Sequence, residues 1–110
     1  MAFDEGLAQR VRSLLDARTD VDERRMFGGI AFLVGGNMCC GVNEDDLIVR
    51  LDPDQADELL ASESGTRPMD FTGRPMRGWL FVAPEATAED ADLESWVRRA
   101  EEFASKLPPK

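Results

Sequence analysis

The chain has 110 residues, which is enough for one domain with a single hydrophobic core. Its 22 acidic residues outnumber its 13 basic residues, and the net charge of -9 repels nucleic-acid backbones and anionic membranes, so we expect neither as a partner. The absence of histidine and tyrosine excludes Ser-His-Asp triads, Cys-His nucleophiles and histidine-bearing zinc sites.

The first predicted element is an amphipathic helix. Apolar residues recur at helical spacing from Phe3 to Leu15, and Asp4 is suited to the N-cap position. The pattern ends near Arg18 to Asp20, where threonine and aspartate favour a turn. The segment before this helix lacks the charge and hydropathy pattern of a signal peptide, so we expect a cytoplasmic protein.

Short apolar runs separated by Gly, Asn and Asp follow from Arg25 and predict three antiparallel strands: IAFLV, MCCGV and LIVRL. Because IAFLV is apolar on both faces, we expect it at the centre of the sheet. Helices would cover one side of this strand, and a partner subunit is one candidate for the other side.

A second helix is predicted from an Asp52 cap and Pro53 to about Ala61. After a loop, MDF and MRGWLFVA predict a second pair of strands, with Leu80 and Val82 on one face and Trp79 and Phe81 on the other. A last helix is predicted from a Thr87 cap to Pro108. The predicted fold is one α+β domain over residues 1–110: helix, three antiparallel strands, helix, two strands, helix.

Two neighbouring cysteines, Cys39 and Cys40, are the only thiols and favour a reducing compartment. On a regular strand their side chains point to opposite faces, which puts one thiol in the core. We favour core packing for both. The alternative is a thiol-redox or small anionic-ligand site at this pair, with nearby arginines holding the anion.

Arginines around the predicted turns are candidate anion contacts, because a guanidinium pairs bidentately with carboxylates and phosphates. The competing interpretation is that they pair with neighbouring acids such as Glu23 and Asp70. The candidates are Arg25, Arg67 and Arg77.

Apolar residues near the glycine turns are consistent either with an adaptable protein interface or with the core. They are Met26, Phe27, Met69, Phe71, Met76 and Trp79.

The segments RMFGGIAFLVGGNMCCGV, RPMDFTGRPMRGWLFV and LESWVRRAEEFA together resemble the N-terminal domain of the TfoX/Sxy family, bacterial proteins named for competence regulation. The resemblance implies an α+β domain of the secretion-chaperone-like type. Two-domain members act with the cyclic-AMP receptor protein at promoters and carry a C-terminal helical domain, which the likeness does not include. The family motif positions are Met26, Phe27, Gly28, Gly29, Arg74, Pro75, Met76, Gly78 and Trp79.

The resulting hypothesis is a non-enzymatic regulatory or interaction module without a metal or other cofactor. It would bind another protein, or itself as a homodimer, through one face near the two motif turns.

Overall fold

The computed structural model describes residues 3–26, 28–69 and 77–109, with only the backbone for Met26. In chain order the elements are α1 (Glu5–Leu14), β1 (Val21–Met26), β2 (Gly29–Val34), β3 (Asn37–Asn43), β4 (Asp46–Arg50), α2 (Pro53–Ser62), β5 (Thr66–Pro68), β6 (Trp79–Val82), a 3-10 turn (Pro84–Ala86) and α3 (Asp90–Lys106).

Within these residues the strands form one antiparallel sheet in the order β1-β2-β3-β4-β6-β5, so that β1 and β5 are its edges. Two-residue turns join the first four strands, and residues with positive φ occur in each turn, as tight hairpins require. The α+β class predicted from the sequence is confirmed.

Three details of the predicted strands are wrong. The first group contains a fourth strand, β1, whose polar sequence VDERRM concealed it. The IAFLV strand is buried throughout, but it is second from an edge, and β3 and β4 are the middle strands. The loop predicted before MDF contains β5 at Thr66–Pro68, and the last two residues of MDF lie outside the described ranges.

Helix starts follow local hydrogen bonding. The Oδ1 of Asp4 accepts from the Leu7 backbone N–H at 3.1 Å, and Asp52 caps α2 in the same way, so both predicted caps are confirmed. The Thr87 cap is wrong. Its hydroxyl donates to the carbonyl of Pro84 at 3.3 Å, and α3 begins after Glu89.

The three helices pack on one face of the sheet and enclose the main core. All three contribute side chains that are at most 5% exposed, among them Leu7, Ala56 and Trp96. In the described part of the chain, no helix combines the length and the apolar character that crossing a bilayer requires.

A second, smaller core lies on the opposite face of the sheet. Its buried members are Ala31, Leu33, Met38, Ile48 and Met69, with Trp79 and Phe81 packed against them. These five residues are no more than 7% exposed within the single chain, so their burial does not require a partner subunit. Leu80 and Val82 belong to the main core, which confirms the alternation predicted for this strand.

Candidate interaction surface

The first motif turn closes the β1–β2 hairpin. Met26 pairs with Gly29, and Gly28 between them has a φ of +73°, a conformation that suits glycine. Gly29 has a different role. A Cβ on this residue would lie 2.0 Å from the backbone oxygen of Val42, so a side chain would separate β2 from β3. Phe27 lies outside the described residues.

The described part of the second motif is Gly78 and Trp79, and Trp79 is the first residue of β6. Gly78 is buried with a φ of +93°, and its carbonyl oxygen accepts a hydrogen bond from the Leu51 backbone N–H at 2.7 Å. Trp79 is half-buried, and the centre of the Arg50 guanidinium lies 5.3 Å from the centroid of its ring. Arg74, Pro75 and Met76 lie outside the described residues.

The described glycines of the two motifs lie at opposite ends of the sheet, Gly29 at one end and Gly78 at the other. One binding face near both motif turns stays a prediction. The register places Ile30, Val42, Leu47 and Val82 in one row across β2, β3, β4 and β6, next to Gly29. Gly78 lies next to Leu51, beyond the other end of β4. Four residues along β4, from Leu47 to Leu51, separate the two rows, or about 13 Å at the usual rise of a strand.

A groove beside Gly78, between α2 and the β5–β6 pair, is named the α2–β6 groove. Its volume is about 360 Å³, and its lining consists of Asp57, Leu60, Pro68, Arg77, Gly78, Trp79 and Leu80. The exposed Arg77 guanidinium pairs with Asp54 at 2.8 Å and with Asp57 at 3.0 Å. The groove therefore combines apolar walls and an indole ring with a charged pair.

Arg50 is a residue of this region that sequence reasoning missed. Its guanidinium lies between two rings, 5.3 Å from the centroid of Trp79 and 5.6 Å from that of Phe103 on α3. The signal that identifies it is the register of β4 with β6, in which Arg50 is directly opposite Trp79. That pairing joins strands separated by α2, so no local pattern in the sequence indicates it.

A β-bulge changes the expected geometry of the cysteine pair. Phe32 pairs with Cys40 and the next residue, Leu33, pairs with Met38, so Cys39 is an extra residue in β3. Both cysteines are fully buried in the main core on the helix face. The expectation that they point to opposite faces is therefore wrong, because the bulge interrupts the alternation of side chains.

The two thiols interact inside this core. A side-chain hydrogen bond with Cys39, followed by burial, raises the pKa of the Cys40 thiol well above its ordinary value. The thiolate is the nucleophilic form of cysteine, so this environment suppresses reactivity. In the ranges that the structure describes, no three side chains of Cys, Asp or Glu are grouped to hold a metal ion.

We expect both thiols of the folded protein to resist the thiol reagent DTNB at pH 8 and to react promptly in 8 M urea. Because the folded-state pKa of Cys40 is raised, its contribution to stability is complete below the unfolded pKa of about 8.5. It is lost above that pH, by at most about 1.4 kcal/mol per pH unit. Urea unfolding at pH 7 to 10 measures this slope, and Cys40→Ala should reduce it. Fast labelling of the native protein would contradict the expectation.

The candidate anion contacts do not converge. Arg25 on β1 lies 5.0 Å from the centroid of the Phe3 ring, whereas Arg67 on β5 pairs with Asp46 at 2.8 Å and lies over the Phe81 ring. Five strand spacings separate these edges, or about 24 Å. Arg77 pairs with the acids of α2. Anion binding stays a prediction, for which these side chains offer no common site.

Comparison with known proteins gives one result that bears on this geometry. The family model of the TfoX N-terminal domain matches residues 13–104, which includes every described strand and both motif turns. A comparison with curated proteins finds no match. Since this family model spans most of the sequence and agrees with the resemblance of the motif segments, the chain belongs to the TfoX N-terminal domain family.

Proposed function

We propose that the chain is a non-enzymatic regulatory module, similar to the N-terminal domain of competence regulators, that binds another protein through the α2–β6 groove. The observation that carries this proposal is Trp79, a family motif residue that is half-buried at an apolar groove instead of being fully enclosed in the core. Trp and Arg are the residue types that most often dominate binding energy at protein interfaces.

The groove suits a partner that inserts one large apolar side chain. Leu60, Pro68 and the indole of Trp79 would contact that side chain, and their desolvation would supply the binding free energy. The Arg77 guanidinium and the carboxylates of Asp54 and Asp57 would meet polar groups around it. Such a charged periphery contributes more to specificity than to affinity.

The environment of the thiols supports an interaction role over a catalytic one. Cys40 has a raised pKa and both thiols are enclosed, which is the opposite of the electropositive, accessible setting of reactive cysteines. The surplus of acidic residues favours a protein partner over direct contact with DNA.

Site-specific photo-crosslinking in the organism that encodes the chain tests the proposal. A benzophenone side chain at exposed Asp57 should capture one defined protein, and the same group at exposed Ser105 on α3 should not. We expect Trp79→Ala to reduce the yield at least tenfold. Arg77→Glu, a change at an exposed residue, should reduce it several-fold while circular dichroism stays unchanged.

The captured protein must then bind the purified chain with the same dependence on Trp79 and Arg77. Equal capture from both positions, or capture that both variants leave unchanged, would contradict docking in the groove. Docking in the groove would also be contradicted if the benzophenone at Asp57 captured no protein.

A further inference from the structure

We propose that two copies of the chain pair through their β1 strands and join their sheets edge to edge. This interface is at the edge opposite β5 and is independent of the α2–β6 groove. Of the two edges, β5 has three residues and ends in a proline, which lacks the N–H needed for pairing. By contrast, β1 has six residues and no proline.

The backbone of β1 offers hydrogen-bonding groups on its outer side. The N–H of Gly35 donates to the carbonyl of Asp20 at 2.9 Å, in register with the β1–β2 pairs. Backbone groups alternate in direction along an antiparallel strand, so the even-numbered residues of β1 bond to β2. The N–H and C=O groups of Val21, Glu23 and Arg25 therefore point away from the sheet.

The charges of β1 form a self-complementary pattern. Asp22 and Arg24 are exposed and lie on the same face, opposite Leu33 and Ala31 respectively. Among the described residues, neither side chain has a hydrogen-bond or ion-pair partner. The other two charges of the strand are engaged, because Glu23 pairs with Arg12 and Arg25 lies over the Phe3 ring.

A two-fold axis through Glu23 brings these free charges together. Asp22 of each copy then lies directly opposite Arg24 of the other copy, which forms two ion pairs at positions without backbone bonds, where side chains are closest. The outward backbone groups form hydrogen-bonded pairs, Glu23 with Glu23 and Val21 with Arg25. An axis through Arg24 would instead place the two Arg24 residues against each other, so the charge pattern selects the first register.

The negative charge of each Glu23 carboxylate at this axis is balanced by an arginine of its own copy. The guanidinium of Arg12 holds Glu23 bidentately, at 2.6 Å to Oε2 and 2.7 Å to Oε1. This hydrogen bonding lowers the pKa of Glu23, so the ion pair persists at neutral pH. The opposed carboxylates therefore carry little net repulsion.

Sedimentation over a range of concentrations tests the pairing. The protein should show a reversible dimer, weakened by salt because the interface is small and exposed. Arg24→Asp places a second carboxylate opposite Asp22 of the other copy, and the resulting repulsion should raise the dimer Kd at least tenfold. The double variant Asp22→Arg with Arg24→Asp exchanges the charges and should restore the dimer.

Arg77→Asp makes the same change of charge at the opposite side of the sheet and serves as the matched control. It should leave the dimer Kd unchanged, although it affects the α2–β6 groove, so failure of one proposal is distinguishable from failure of the other. A chain that is monomeric up to millimolar concentration would overturn the pairing, as would a dimer that tolerates Arg24→Asp or is not restored by the exchange. Binding of an acidic extended peptide by a purely monomeric chain would also overturn it.

Discussion

Gly29→Ala should strongly destabilise the folded protein. The new Cβ would lie 2.0 Å from the Val42 backbone oxygen and 3.0 Å from the Val42 carbonyl carbon, and backbone atoms cannot move aside as a side-chain end can. Relief would require β2 to separate from β3, which would break the pairing of Ile30 with Val42. We expect a loss of about 4 kcal/mol or more, in the range that single substitutions rarely reach. A domain of this size has about 5–15 kcal/mol in total.

Gly28→Ala is the matched control, because it makes the same chemical change one residue earlier. Within the described ranges its Cβ would meet only the Asn43 side-chain nitrogen, at 3.8 Å. The cost therefore arises from the φ of +73° and should be about 1–2 kcal/mol. Urea unfolding monitored by circular dichroism measures both variants, with soluble yield as a second readout. Equal destabilisation by the two changes would show that close packing against β3 is not the reason why residue 29 is a glycine.

The helices could be predicted because their signals are local. Asp4 and Asp52 each precede an apolar helical pattern, and both side chains accept hydrogen bonds from the first turn. α3 starts later than the sequence predicts, because a 3-10 turn, Pro84–Ala86, precedes it and has Thr87 as its C-cap. Residue spacing alone cannot show whether Thr87 begins an α-helix or ends a 3-10 turn.

The sequence does not predict β1, and this has a physical explanation. β1 is an edge strand with exposed side chains from Asp22 to Arg25, so it tolerates charges that a central strand would not. Its place in the sheet comes from pairing with β2, in which Met26 is opposite Gly29. Apolar alternation, the signal on which strand prediction depends, is absent from such a segment.

The arrangement of the candidate sites depends on contacts between distant parts of the chain. The bulge at Cys39 places the Cys40 thiol on the same face of the sheet as the Cys39 thiol. No residue type at that position indicates a bulge. Similarly, Gly29 and Gly78 are conspicuous in the sequence, but their positions at opposite ends of the sheet follow from the pairing of β4 with β6 across α2. The sequence therefore predicts the motif residues but not the surfaces on which they lie.

Phe32→Ala should be the most destabilising of the changes that only remove core volume. Phe32 is fully buried in the main core and is the largest side chain enclosed to that degree. Truncation of a buried phenylalanine costs about 3–5 kcal/mol, because it loses apolar contact and leaves a cavity. Phe103→Ala on α3 is the matched control, since Phe103 is half-buried and its loss should cost about 1 kcal/mol.

The same substitution links the core to the inertness of the thiols. Phe32 lies directly opposite Cys40 at the bulge, so a cavity there removes the cover of the cysteine pair on one side. In native buffer, Phe32→Ala should therefore increase the rate of thiol labelling at least tenfold, whereas Phe103→Ala should leave it close to that of the unaltered protein. Equal labelling rates in the two variants, after correction for their unfolded fractions, would show that Phe32 does not protect the thiols.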